Sequence, residues 1–141
     1  MRNLERPGRS PVHAPHGMAA TSHPLASQAA LDMLKAGGNA MDGAIAAVAV
    51  QCVTEPGSTG IGGDCFCLYA PEGGSDVIGF NGSGRAPAAA SIGYYQNQGI
   101  TKFPRMSPHA VTIPGAIDGW TQLHADHGRM PLSDVLAPAI S

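Results

Sequence analysis

A length of 141 residues is that of one ordinary domain or of a piece of a larger one. With 43% hydrophobic and only 13% charged residues, the chain lacks the charge-rich, apolar-poor signature of disorder, and its 19 glycines and 12 prolines make it turn often. The formal net charge is −2, Arg2, Arg6 and Arg9 crowd the first nine positions, and five basic residues face nine acidic ones from Ser10 onward; a phosphate backbone finds little to neutralise there, which excludes nucleic acid as a partner.

Residues 1–16 hold clustered positive charge, Pro7, Pro11 and Pro15, and no apolar period, so they are expected to form a flexible leader. Pro7, Gly8, Pro11, His13, Pro15 and His16 occupy the place where a secretory signal needs its apolar stretch, and the expectation is a cytoplasmic protein. The longest apolar run, Ala44 to Val50, falls far short of the roughly 20 residues of a membrane span, so no membrane partner is expected. Structure should begin near Gly17, with a first strand over Gly17–Ser22.

A helix follows, capped by Ser22 or Ser27 and apolar at Ala26, Ala29, Ala30, Met33 and Leu34, with Gly37 and Gly38 ending it. Asn39 caps a second helix from Ala40 to about Val53, with Asp42 in its first turn, where a carboxylate meets the positive end of the helix dipole. This helix is apolar nearly all round, so it must be buried on several sides. Its small residues Ala44, Ala46, Ala47 and Ala49 permit close approach to a sheet or a neighbouring helix.

A turn-rich stretch, Glu55 to Gly63, leads to a strand over Asp64–Ala70, a turn at Gly73 and Gly74, and a partner strand over Ser75–Phe80, which together form a hairpin. Helices are expected over Ser91–Gln98, from Pro114 to about His127 with Ile117, Trp120 and Leu123 inward, and from Ser133 in the last segment, Leu132–Ile140. Two strands and several helices make an α+β arrangement with too few strands to complete a helix-covered sheet. The chain therefore reads as part of a domain.

Gly60, Gly62 and Gly63 invite a nucleotide-loop reading, but the sixth position of the spacing is Cys65 and no lysine follows; a tight turn feeding a strand is the better account. No cofactor is expected. His124 and His127, like His13 and His16, stand three apart, yet neither pair has a third ligand at metal-site spacing, so solvated histidines and no metal are expected. Ser22 with His23 is too common a dipeptide to mark a nucleophile, because a base must also face the hydroxyl and be oriented. Cys52, Cys65 and Cys67 fit neither a disulfide framework nor a zinc ribbon and read as buried small hydrophobes.

Arg85 is the only cation between Lys35 and Lys102, and it stands in Asn81-Gly82-Ser83-Gly84-Arg85-Ala86-Pro87 directly after a predicted strand. Small neighbours give a ligand room, and a guanidinium can grip a carboxylate through two parallel hydrogen bonds. The competing reading is a loop ion pair with Asp64 or Asp76. From spacing alone the two are even.

Four ordered blocks, Gly17–Glu55, Thr59–Tyr69 (TGIGGDCFCLY), Asn81–Pro87 (NGSGRAP) and Val111–Trp120 (VTIPGAIDGW), resemble the N-terminal part of the gamma-glutamyltransferase large subunit. The resemblance runs from about Gly17 to Ser141 and makes 17–141 an N-terminal fragment of such a subunit. It implies an N-terminal-nucleophile hydrolase, an αββα sandwich of which this chain is a part, and a precursor that cleaves itself into large and small subunits. It also implies a threonine nucleophile at the start of the small subunit, using its own α-amine as base, and an acyl-enzyme resolved by water or an amino acid. No self-cleaving threonine motif occurs here: Thr21, Thr54, Thr59, Thr101, Thr112 and Thr121 sit in other blocks. No catalytic residue is therefore expected in the chain, which alone should be inactive, its partners being a gamma-glutamyl or related amide substrate and the missing small subunit or C-terminal remainder. The residue that carries over is Arg85, matching the family's arginine for the substrate α-carboxylate, and this tips its reading to ligand binding. Cephalosporin acylases and oxamate amidohydrolases are the alternatives within the fold. Outside it stand a noncatalytic piece that docks onto a separate small subunit, and a truncated chain whose second helix and hairpin expose apolar faces.

Overall fold

A computed structural model describes residues 11–141. Of the expected leader, positions 1–10 lie outside the described residues, and 11–16 are exposed and in no helix or strand. The strand expected over Gly17–Ser22 does not form. Its residues find no ladder partner among the described residues, and they serve the following helix instead: the Thr21 hydroxyl donates to the His23 carbonyl at 2.7 Å and pairs with the Ser27 hydroxyl at 2.7 Å.

The first helix, α1 (Pro24–Lys35), is capped by neither expected serine: His23 Nδ1 accepts the Leu25 N–H at 3.2 Å. Pro24 occupies the first turn, where a missing N–H costs nothing. Past its end, Gly37 has φ +98°, a left-handed conformation that favours glycine. The second helix, α2 (Ala40–Thr54), starts as expected at Asn39. The Asn39 side chain accepts the Met41 and Asp42 N–H groups, while the Asp42 carboxylate accepts the Asn39 N–H at 2.8 Å, a reciprocal capping box.

The two helices cross closely because Gly43 has no side chain: a Cβ there would stand 3.3 Å from the Ala30 carbonyl oxygen. Along α2, Met41, Ile45, Ala46, Ala47, Ala49 and Val50 are buried, whereas Ala44 is exposed and takes no part in the packing. The helix lies against α1 and the two last helices rather than flat on a sheet. Most of its apolar surface is thereby covered, with Ala44 and Val53 left exposed.

Strands β1 (Cys65–Tyr69) and β2 (Ile78–Gly82) pair antiparallel, with Cys65 opposite Gly82, Cys67 opposite Phe80 and Tyr69 opposite Ile78. The second strand begins three residues later than expected, because a short 3₁₀ turn at Pro71–Gly73 and an exposed run through Val77 take up the chain before pairing starts. Alternation puts Cys65, Cys67, Tyr69 and Phe80 against the core and leaves Phe66 and Leu68 68% and 82% exposed on the other face.

Helix α3 (Ile92–Asn97) is capped by Ser91, whose hydroxyl accepts the Tyr94 N–H. Helix α4 (Ala116–His127) packs on both strands and on α2. It starts two residues after Pro114, and its inner stripe is Ala116, Gly119, Trp120 and Leu123. Ile117, expected inward, is 45% exposed, because the helical period runs from Ala116. Helix α5 (Leu132–Ile140) closes on α2 through the fully buried Val135. The architecture is α+β, with helices on one face of a two-stranded sheet. No helix among the described residues is long and apolar enough to cross a membrane.

At the centre Asp42 is 0% exposed. Its carboxylate accepts the Arg129 N–H at 3.1 and 3.2 Å and the Met130 N–H at 3.4 Å, in addition to the capping contact with Asn39. His124 lies 3.8 Å away through Nε2, which also meets the Met130 carbonyl at 2.8 Å. His124 is thus a packed residue and not a solvated one, and His127 packs its ring on Tyr69 at 4.9 Å. Asn39 Nδ2 donates to the His127 carbonyl at 2.6 Å. One carboxylate therefore ties the start of α2 to the turn between α4 and α5.

The three cysteines are half-buried rather than fully buried. Burial pushes each thiol up from its ordinary value, with the neighbouring Cys67 adding to the shift at Cys65. Their thiolates should accordingly appear at higher pH than in the unfolded chain, so stability should be greatest below the unfolded thiol's pKa and fall as pH rises toward the folded ones. Iodoacetamide labelling against pH should show onset later for folded than for urea-unfolded protein; coincident curves would refute this. Asp42→Ala leaves buried N–H donors without an acceptor and should cost about 3 kcal/mol of stability. Urea denaturation checks it, and a loss below about 0.5 kcal/mol would deny the carboxylate its central role.

Candidate functional site

Three glycine-containing segments, far apart in sequence, meet at the end of the hairpin. The first is the turn Gly60–Gly63, closed by the Gly63 N–H on the Gly60 carbonyl at 3.0 Å. The Gly63 carbonyl then accepts the Gly115 and Ala116 N–H groups at 3.0 and 2.9 Å. It satisfies donors that α4 leaves open at its start, where no side chain caps the helix. This explains why α4 begins after Pro114, and the turn serves to start that helix through its backbone.

Next to that turn, Asp64 Oδ1 accepts the Gly84 N–H at 3.1 Å and the Thr112 hydroxyl at 3.4 Å. On the other side of the same stretch, the Ile113 N–H donates to the Arg85 carbonyl at 2.9 Å. No room remains between the segments: a Cβ on Gly84 would collide with the Ile113 carbonyl oxygen, and one on Gly115 with the Gly82 carbonyl oxygen. The blocks at 59–69, 81–87 and 111–120 are thus one structural unit.

Arg85 projects from this junction and is exposed. Neither Asp64 nor Asp76 comes within ion-pair distance of its guanidinium; the ion pairs among the described residues are Lys35–Asp32 and His124–Asp42. The loop ion pair is therefore not formed. Asp64 is engaged instead with the backbone before Arg85, a role that sequence reasoning did not assign. Its only trace in the sequence is an acidic residue directly after a glycine-rich turn. Pro87 leads from Arg85 into a small depression of about 170 Å3, lined also by Ala90, Tyr95, His109 and Val111. Tyr95 stacks edge-on against both Phe103 and His109 there, at 4.7 and 5.3 Å.

The other sequence candidates do not assemble into catalytic sites. Ser22 Oγ donates to Glu55 Oε2 at 2.5 Å and accepts from Gln51 Nε2 at 2.7 Å, while His23 is turned to the start of α1. The hydrogen bond from Ser22 holds the Glu55 carboxyl below its ordinary range, which makes it a weak base. Among the threonines, Thr54 and Thr121 donate to carbonyls of their own helices and Thr112 to Asp64. No group of three His, Cys, Asp or Glu side chains that could hold a metal ion occurs among the described residues.

Residues 26–141 match the family model described as gamma-glutamyltranspeptidase, and the chain belongs to that family. It is 38% identical over 122 residues to the glutathione hydrolase-like YwrD proenzyme of Bacillus subtilis, covering 86% of this chain and 23% of that protein. With the oxamate amidohydrolase proenzyme of Klebsiella pneumoniae it shares 39% over 131 residues, 89% of this chain and 24% of that protein. The crystal structure of Helicobacter pylori gamma-glutamyltranspeptidase superposes with a TM-score of 0.82 at 28% identity, over 93% of this chain and 38% of that one. The fold is thus part of an N-terminal-nucleophile hydrolase. The chain spans about a quarter of the length of the curated relatives it matches.

Gly84→Ala should be among the most damaging small substitutions in the chain. The added methyl must push the Ile113 carbonyl away, and the expected loss is about 2 kcal/mol or more. Thermal melts of this variant beside Gly57→Ala, where a Cβ meets nothing, provide the check; equal melting temperatures would show that the junction is loose.

Proposed function

We propose that this segment is the substrate-carboxylate-binding part of an enzyme that transfers or hydrolyses gamma-glutamyl groups of glutathione-type substrates. The observation that carries the reading is Arg85, exposed and without an acidic partner among the described residues, on a junction whose backbone is held on both sides. A guanidinium so placed offers two parallel N–H donors to a carboxylate, and its rigid base limits the entropy lost when the ligand is bound.

In this proposal the chemistry belongs to the rest of the complete protein. A threonine outside these residues attacks the amide carbonyl, with its own α-amine accepting the proton, and forms an acyl-enzyme that water or an acceptor amine then resolves. Backbone N–H groups stabilise the tetrahedral oxyanion. The hydroxyls of Thr54, Thr112 and Thr121 are already committed as donors to carbonyl or carboxylate oxygens, which supports a nucleophile from elsewhere. Residues 1–141 alone are then inactive.

A second reading keeps the fold and changes the acyl group, to oxamate or a cephalosporin-type amide. Its support is that the chain is as similar to an oxamate amidohydrolase, at 39% identity, as to a glutathione hydrolase-like protein, at 38%. Glutathione, oxamate and cephalosporins all carry a carboxylate, so Arg85 suits each.

In the complete protein, Arg85→Lys should raise KM about tenfold or more with a smaller change in kcat, because a lysine cannot reproduce the planar two-point grip. The check is steady-state kinetics on gamma-glutamyl, glutaryl and oxamate amides, whose relative rates also separate the two readings. An unchanged KM on every substrate turned over would remove Arg85 from the binding site.

A further inference from the structure

We propose that Asp64 is a positioning residue, acting through Arg85 by fixing the Ser83–Gly84 peptide, one residue before it; the proposal rests on the reading of Arg85 as the carboxylate-binding residue. An arginine side chain has four rotatable bonds, and the direction in which it leaves the backbone is set by the conformation of its own residue and the peptides on either side. The chain is held at two peptides around Arg85, Ser83–Gly84 one residue upstream and the one that follows Arg85. Asp64 Oδ1 takes the Gly84 N–H at 3.1 Å on one side, and the Ile113 N–H holds the Arg85 carbonyl at 2.9 Å on the other.

The second hold is backbone to backbone, and any residue at 113 except proline supplies it. The first depends on a single side chain. Asp64 joins both other segments by hydrogen bonds, since the same oxygen receives the Thr112 hydroxyl at 3.4 Å. Gly84 cannot be replaced without a collision, so its N–H is brought close to the carboxylate with no side chain to interfere. Because Asp64 is exposed and makes no ion pair with Arg85, it leaves the guanidinium available to an incoming carboxylate while orienting its base. A charged acceptor also forms a stronger bond to a backbone N–H than a neutral one.

The proposal separates two properties that a merely structural residue would not. Loss of the acceptor should weaken substrate binding without slowing the bound substrate, and a neutral acceptor of the same shape should restore binding. In the complete protein, with whichever of the gamma-glutamyl, glutaryl or oxamate amides it turns over, Asp64→Ala should raise KM about tenfold with kcat within about twofold, and Asp64→Asn should bring KM back to within about threefold of the parent. Amide exchange read by mass spectrometry should show faster exchange at Gly84 in Asp64→Ala and near-parent exchange in Asp64→Asn. Combined with Arg85→Lys, Asp64→Ala should add little further to KM, the non-additivity expected when one residue acts through the other.

If Asp64→Ala yields no folded protein, Asp64→Ser, whose hydroxyl is too short to reach Gly84, takes its place with the same expectation. An unchanged KM or unchanged Gly84 exchange in the Ala or Ser variant, a parallel fall in kcat, or additive effects with Arg85→Lys would each overturn the proposal. If Arg85→Lys raises KM while Asp64→Ala does not, the reading of Arg85 stands and that of Asp64 falls. If Arg85→Lys itself leaves KM unchanged, or no amide in the panel is cleaved, both fall together.

Discussion

A single buried carboxylate organises this chain. Asp42 has no contact with solvent, and its two oxygens are shared among the N–H groups of Asn39, Arg129 and Met130. An unpaired charge at that depth would be costly; several donors converging on it make the burial tolerable and demand one geometry. The geometry joins residues some 87 positions apart and sets where α4 ends. Since α4 begins on the Gly63 carbonyl, the same helix runs from the Asp42 cluster to the junction that carries Arg85.

The two ends of α4 are held by different means. At its C-terminal end side chains do the work: Asn39 grips the His127 carbonyl, Asp42 takes the N–H groups of the next turn, and His124 lies beside them. At its N-terminal end no side chain caps the helix, and a foreign backbone carbonyl accepts two of its N–H groups. Main chain packed on main chain requires glycine at the contact points, which gives Gly84 and Gly115 a steric reason for being what they are. Arg85 emerges from this junction exposed.

Local signals located most of the elements. Asn39 with Asp42 marked the start of α2, the apolar period marked α1 and α4, Ser91 marked α3, and Ser133 placed the start of α5 one residue late. The errors share a cause. The strand assigned to Gly17–Ser22 had suitable residues and no partner among the described residues; β2 was displaced because Ser75–Val77 run exposed and unpaired before the ladder begins at Ile78; Ile117 was turned inward by a period counted from one residue too far along. In each case the deciding contact lay elsewhere in the chain. At the site, Arg85 was legible as an isolated cation among small residues after a strand. Asp64 was not, because its hydrogen bonds go to backbone and hydroxyl groups 20 and 48 positions away.

By itself the sequence determined which stretches are helical, where a hairpin falls, that α2 must be buried on several sides, and that Arg85 was the cation to watch. Those properties depend on short-range periodicity, capping and composition, which neighbouring residues carry among themselves. Tertiary structure decided what α2 is buried against, that Asp42 is the hub and His124 its neighbour, and that three glycine-rich blocks form one junction with the guanidinium clear of Asp64 and Asp76. These are long-range hydrogen bonds and steric contacts, and their energies exist only once distant segments share the same few ångströms.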